Sequence, residues 1–353
     1  MKDNKFMNDE IVIYHIGGDD KGSLDLGPIQ RIVDSPDIKS NFQIVLFDIR
    51  EGVGETVAVD KIIRDGVRLR VVNACIFSEK TNREFHVNKQ QLSSSIFPPS
   101  PIMKDEHIMY PWCHTWEEDT DLDFKMNIET NTLDCVIKEL DLPQPDILSM
   151  DIQGAELAAL QGATKVIQNE LLCIVTEIEF CEIYKGQGLF HQQHELLSNN
   201  GFRLVDIFSH QYWHPAPAIG KGLLTVGEAL YFRYFDLDNY GEDNNQFLSQ
   251  LLKLSEISFA FSRYSFSNKI VDKIIKNYPK EIDSIKNSER YKPIFDKYQF
   301  VNDNLENYNN NNRFFMPKSY DNKRYKAYQQ RQIEIVRRFT PNFIKYIIRK
   351  WLY

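Results

Sequence analysis

Apolar residues follow two rhythms along the first two-thirds of the chain. Short unbroken runs, rich in β-branched side chains, read as buried strands. They fall at residues 11–16 (IVIYHI), 42–47 (FQIVLF), 67–75 (VRLRVVNAC), 147–150 (ILSM) and 171–176 (LLCIVT), with two more at 202–208 and 229–232. Between several of them lie helix-like segments at 26–33, 56–64, 132–140, 156–167 and 191–199. Strand–helix alternation with runs apolar throughout predicts a parallel sheet covered on both faces, an α/β, doubly wound, Rossmann-like architecture. Residues 78–130 break the rhythm. They hold Ser93-Ser94-Ser95, the proline-rich FPPSP and Trp112-Cys113-His114-Thr115-Trp116, and they predict a long loop or lid.

The remainder of the chain changes character. Residues 260–353 carry 20 Lys and Arg against 9 Asp and Glu, a charge of +11, while the preceding residues carry −19; all 16 glycines lie at or before Gly241. An acidic, glycine-punctuated domain over 1–240 is therefore expected, followed by a basic, mostly helical extension over 241–353. Amphipathic segments lie at 269–278 and 332–339. Thr340-Pro341 opens a final helix at 342–352 by an N-cap and a proline at the first helical position. Residues 304–315, asparagine-rich, read as a loop. Five scattered cysteines without a CxxC speak against a disulfide framework, and neither a signal-peptide stretch nor an apolar run of membrane-spanning length is found. A cytoplasmic protein with reduced thiols is expected.

The chemistry collects where the strands end. In doubly wound sheets ligands bind outside the carboxyl ends of the strands. Here those ends carry Gly17, Gly18, Asp19, Asp48, Asn73, Asp151 and Glu177. Two carboxylates in GGDDKGS disfavour a pyrophosphate and suit a cationic ligand. Asp48 stands where an acid accepts hydrogen bonds from ribose hydroxyls. Gly52 and Gly54 in REGVGE offer a rival first loop, in which 42–47 would be the cofactor strand. The earlier pair is preferred because otherwise no acid-bearing second strand precedes 67–75. Asp151-Ile152-Gln153-Gly154-Ala155-Glu156 joins a strand, an acid, a glycine turn and a helix. Glu156 there either faces the cleft or complements the helix dipole.

At these residues the chain resembles the FkbM family of S-adenosylmethionine-dependent methyltransferases. The stretches that carry the resemblance are PDILSMDIQGAELAALQGA (145–163), LLCIVTEIEFCEIYKGQGLF (171–190) and GFRLVDIF (201–208), with VVNACIFSEKTNREFHV (71–87) and LSSSIFPP (92–99). The first loop departs from the family's D-x-G-A-x-x-G form, reading His15-Ile16-Gly17-Gly18-Asp19. The resemblance implies a seven-stranded class I methyltransferase fold and methyl transfer to a hydroxyl oxygen of a sugar, surface glycan or related natural product. It implies that Gly17, Gly18 and Asp19 sit by the methionine part of S-adenosylmethionine, Asp48 by its ribose, and Asn73, Ala74 and Cys75 by its adenine. Asp151, Glu177 and Glu156 would lie near the acceptor hydroxyl, with Asp151 the first candidate for general base and Glu177 the second. No metal ligand is assigned. Mg²⁺ held by Asp151, Glu177 and Glu179 to orient a diol is the less favoured alternative.

Other signals are weaker. His191-x-x-His194 and His210-x-x-x-His214 have zinc-like spacings and read better as surface or core histidines. His210, Tyr212 and Trp213 are expected near an acceptor pocket, and the tryptophan pair around Cys113-His114 as either a stacking surface or lid packing. The last helix carries an apolar stripe with basic flanks, suited to docking on protein or, peripherally, on the inner face of a membrane. Nucleic acid is not expected as a partner; an oligomer is compatible with the charge asymmetry. Two rival functions stay open, a catalytically silent scaffold in glycan assembly and a different α/β enzyme such as a nucleotide-sugar oxidoreductase.

Overall fold

The computed structural model describes residues 10–17, 19–20, 23–24, 26–33, 35, 42–49, 67–108, 114–215, 222–235 and 245–303. Gly18, Gly52, Gly54, the expected helix at 56–64, Trp112, Cys113 and the expected elements beyond 303 lie outside them. The chain divides into two compact units, 1–298 and 299–353. Of the second unit only 299–303 are described, as the end of a helix.

Seven strands form the principal sheet: β1 (Ile11–Gly17), β2 (Phe42–Asp48), β3 (Arg68–Asn73), β7 (Ile147–Asp151), β8 (Cys173–Glu179), β9 (Phe202–Trp213) and β10 (Leu223–Arg233). Three further strands, β4 (Cys75–Ile76), β5 (Asn82–Asn88) and β6 (Leu122–Asn131), form a smaller sheet in the order β4-β6-β5. The principal sheet runs β9-β10-β8-β7-β1-β2-β3. Its neighbours pair in parallel except β10, which is antiparallel to β8 and β9. Counted in chain order, this is 3-2-1-4-5-7-6 with an antiparallel seventh strand, the class I methyltransferase arrangement. Because β7 pairs with β1 and not with β2, Gly17 is the glycine beside Asp151, and the rival first loop falls away.

The alternation along β1 explains the layers. Ile11 and Ile13 point into one core, and Val12, Tyr14 and Ile16 into the other. The second core is closed by α3 (Leu133–Glu139), α4 (Glu156–Gln161), α5 (Thr164–Gln168) and α6 (Phe190–Asn199). The first is closed by α1 (Gln30–Val33), α7 (Asn245–Ala260) and α8 (Tyr264–Asn277), whose Leu248, Leu251 and Leu252 are fully buried. Lys253 on α7 reaches the buried Asp146 at 2.9 Å, and Asp146 Oδ2 accepts the Val12 N–H at the same distance. Helix and sheet are thus joined near the amino ends of β1 and β7.

Residues 78–130, expected as a loop or lid, carry the β5–β6 pair and a short helix, α2 (Trp116–Asp119). Thr115 and Glu118 cap α2 reciprocally. Among the described residues no helix is long and apolar enough to cross a membrane.

Candidate active site

The parallel register sets the first positions. Gly17 pairs with Asp151, and Asp48 with Asn73 one strand further on. Gly17 has φ +86°, and a Cβ there would lie 2.0 Å from the Asp151 carbonyl oxygen. Only glycine lets the two strand ends approach so closely.

Beyond Asp151 the chain turns through two left-handed residues, Gln153 (φ +56°) and Gly154 (φ +91°). Glu156 then folds back, and its Oε1 accepts the Ile152 N–H at 2.7 Å. Glu156 is wholly buried; burial above all pushes its carboxyl up to about 8, opposed by the backbone N–H groups of the turn and reinforced by Asp151. This carboxyl anchors the turn, a role neither reading of the sequence foresaw.

Glu177 stands beside Asp151, since Thr176 of β8 pairs with Met150 of β7. The Gln153 Nε2 joins the two acids, donating to Asp151 Oδ1 at 2.7 Å and to Glu177 Oε2 at 3.4 Å. The Tyr184 hydroxyl lies 3.0 Å from Gln153 Oε1. Burial first, then the carboxylates of Asp151, Glu179, Glu156 and Glu228, hold Glu177 well above the ordinary range. Glu179, two residues along the same strand face and wholly buried, is raised for the same reasons. One oxygen each of Asp151, Glu156 and Glu177 lies within 4.8 Å of the others, a donor set that fits a proton or a hard cation.

Asp151, Gln153 and Glu177 open onto one cavity of about 900 Å³. Gly17, Asp48, Ala74, Cys75, Asp151 and Glu177 line it. Asn73 ends its strand exposed and is not among the lining residues, and Glu156 lies beneath them. Asp19 belongs to a short ladder with Leu24. The glycine approach at Gly17, the acid closing β2 and the carboxylates at β7 and β8 fit a cationic nucleoside such as S-adenosylmethionine. A family model, the methyltransferase FkbM domain, matches residues 51–204.

Over residues 51–204 the chain is similar to the FkbM methyltransferase domain. The match opens just after Asp48, so Gly17 and Asp48 stand outside it. No curated protein matches the chain. Among solved structures, the methyltransferase FkbM of Methylobacillus flagellatus is similar over 64% of this chain and 44% of its own, at 14% identity and a TM-score of 0.30. The chain thus spans less than half of that protein. A precorrin-6y C5,15-methyltransferase of Geobacter metallireducens (12% identity, 64% and 81% covered, TM-score 0.28) is similar too. So is an S-adenosylmethionine-dependent methyltransferase of Clostridium acetobutylicum (8% identity, 64% and 85% covered, TM-score 0.28).

The cavity has walls that the strand ends do not supply. Gln211 and Trp213 line it, whereas His210 and Tyr212 do not. His214 accepts the Gly222 N–H, and His194 stacks on Phe190. Trp116 lines the cavity while its Nε1 donates to the Ile183 carbonyl and its ring packs on Trp213 at 4.9 Å. Asp119, hydrogen-bonded to His114 at 2.6 Å, completes that wall. The β5–β6 pair supplies Phe85, Val87, Phe124 and Met126.

Proposed function

We propose that this protein is an S-adenosylmethionine-dependent O-methyltransferase acting on a hydroxyl of a sugar, surface glycan or related natural product. The observation that carries the reading is the coupling of Asp151 to Glu177 through the Gln153 amide, on the wall of the cavity that Gly17 and Asp48 also line. In this reading Gly17, Gly18 and Asp19 hold the methionine part of the cofactor, Asp48 accepts its ribose hydroxyls, and Ala74 and Cys75 flank its adenine, with Asn73 outside the cavity.

Bound there, S-adenosylmethionine supplies an electrophilic methyl carbon on a sulfonium. The chain's own work is orientation and proton transfer. Asp151, held by Gln153, takes the proton of the acceptor hydroxyl as that oxygen attacks, an effect worth roughly 10²–10⁴ in rate. Glu177 is the second candidate for the base, and its raised carboxyl must first give up its own proton to serve. Glu156 acts through the turn that it anchors. The carboxylate wall favours a positive donor before transfer more than a neutral product after it.

The test is a strain lacking this protein, complemented with wild type or Asp151→Asn, with its glycans read by mass spectrometry. The expected result is a methyl group lost on deletion, restored by wild type and not by the variant. Restoration by Asp151→Asn would remove the acid from the mechanism. A silent scaffold is the second reading, favoured by the altered first loop, and it predicts that Asp151→Asn complements fully.

A further inference from the structure

The two faces of the β5–β6 pair differ sharply. In an antiparallel ladder directly opposed residues share a face. Phe85 opposes Met126 and Val87 opposes Phe124, whereas Glu84 opposes Asn127 and His86 opposes Lys125. The second face is polar, with Lys125 paired to Glu84 at 2.7 Å. The first is apolar beyond the Arg83–Ile128 pair, and the four side chains Phe85, Val87, Phe124 and Met126 line the cavity that holds Asp151 and Glu177.

An apolar strand face is ordinarily buried against a core. Here Phe124 is 51% exposed and Met126 40%, and the neighbouring cavity residue Leu92 is 38% exposed. Contiguous apolar surface of this kind marks a binding site. The hairpin is also fixed relative to the catalytic turn. Ser95 bridges to His86 of β5, and its hydroxyl donates to the Gln153 carbonyl at 2.6 Å. A cavity of about 900 Å³ is at the upper end of what single ligands occupy, roughly 300–1,000 Å³, and has room for an acceptor beside a donor.

We propose that the acceptor is an amphiphile, whose apolar body lies on Phe85, Val87, Phe124 and Met126 while its hydroxyl-bearing end meets Asp151 and Glu177. The inference rests on the O-methyltransferase reading and narrows its substrate class. A bare sugar would leave its hydroxyls facing a wall whose four side chains have no hydrogen-bonding group, a cost that an apolar aglycone or acyl chain avoids. The body is either an acyl-type chain or a fused ring; the chemistry of recognition is the same.

Methyl, octyl and naphthyl β-glucosides, below micellar concentration, serve as probes. Their binding is followed by the fluorescence of Trp116 and Trp213, with S-adenosylhomocysteine present at saturation. Octyl and naphthyl glucosides are expected to bind at least about tenfold more tightly than methyl glucoside, the gain of burying two or more methylenes. The tighter of the two identifies the body as chain or ring. Phe124→Ser with Met126→Ser is expected to erase the preference, and Asn127→Ala on the opposite face to leave it intact. Both substituted side chains are substantially exposed, so the double variant keeps the core. Equal affinities, or a preference that survives the double variant, would overturn the inference. Calorimetry with S-adenosylhomocysteine run alongside separates the failures. Cofactor binding without an apolar preference sinks the amphiphile alone, and absent cofactor binding sinks the methyltransferase reading on which it rests.

Discussion

Glu156 has no exposed surface, yet it carries a carboxyl beside two others. Its value of about 8 in the folded protein lies above the ordinary 4.5, because burial disfavours the charged form. The folded chain therefore keeps a proton that the unfolded chain releases. The stability so contributed is complete below about pH 4.5 and is lost as pH rises through about 8. Glu177 and Glu179, raised by the same cause, act in the same direction. Wild-type melting temperature is expected to fall across that interval, and Glu156→Gln, which cannot ionise, to fall less. Equal slopes in the two proteins would contradict the assignment. Asp151 and Glu177 were visible in the sequence as acids closing apolar runs. Gln153 was not, since it reads as a spacer between Asp151 and Gly154. Its meaning depends on β8 lying beside β7 and on a left-handed backbone that no local pattern announces.

At the scale of elements, buried strands announced themselves as unbroken apolar runs; four of the runs became strands with ends shifted by at most three residues, while those at 202–208 and 229–232 lengthened to Phe202–Trp213 and Leu223–Arg233. The run at 67–75 split, β3 ending at Asn73 and β4 beginning at Cys75. The hairpin was hidden for a different reason. Its signal is alternation, Phe124, Met126 and Ile128 against Asp123, Lys125 and Asn127, and a half-exposed strand of that kind is easily taken for polar loop when serine and proline clusters flank it. Helix α7 owes its place to Leu248, Leu251 and Leu252, and to Lys253, which neutralises a carboxylate with little access to water. Burial raises Asp146 and Lys253 opposes that shift. Lys253→Met leaves the acid buried without its partner, and about 3 kcal/mol of stability is expected to disappear in urea unfolding, with cofactor affinity unchanged. A loss below about 1 kcal/mol would mean that Asp146 does not need the lysine.

Across the molecule, packing and chemistry occupy opposite ends of the same strands. Near the amino ends, Val12, Asp146 and Lys253 tie helix to sheet; at the carboxyl ends, Gly17, Asp48, Asp151 and Glu177 meet around one cavity. That division is what a doubly wound sheet provides, because its parallel strands all finish on one side. The acidic character of the body has its sharpest expression in that cavity, where carboxylates crowd without a lysine or arginine among the lining residues. Such a lining suits a positive ligand, as the proposed sulfonium donor is before its methyl is transferred. The most direct measurement is calorimetric titration of the full chain with S-adenosylhomocysteine, alongside Asp48→Asn and Asp151→Asn. Saturable one-to-one binding is predicted for wild type and Asp151→Asn, weakened about tenfold or more in Asp48→Asn as charge-assisted hydrogen bonds to the ribose are lost. Absence of binding at millimolar ligand, or an Asp48→Asn variant that binds as wild type does, would contradict the account.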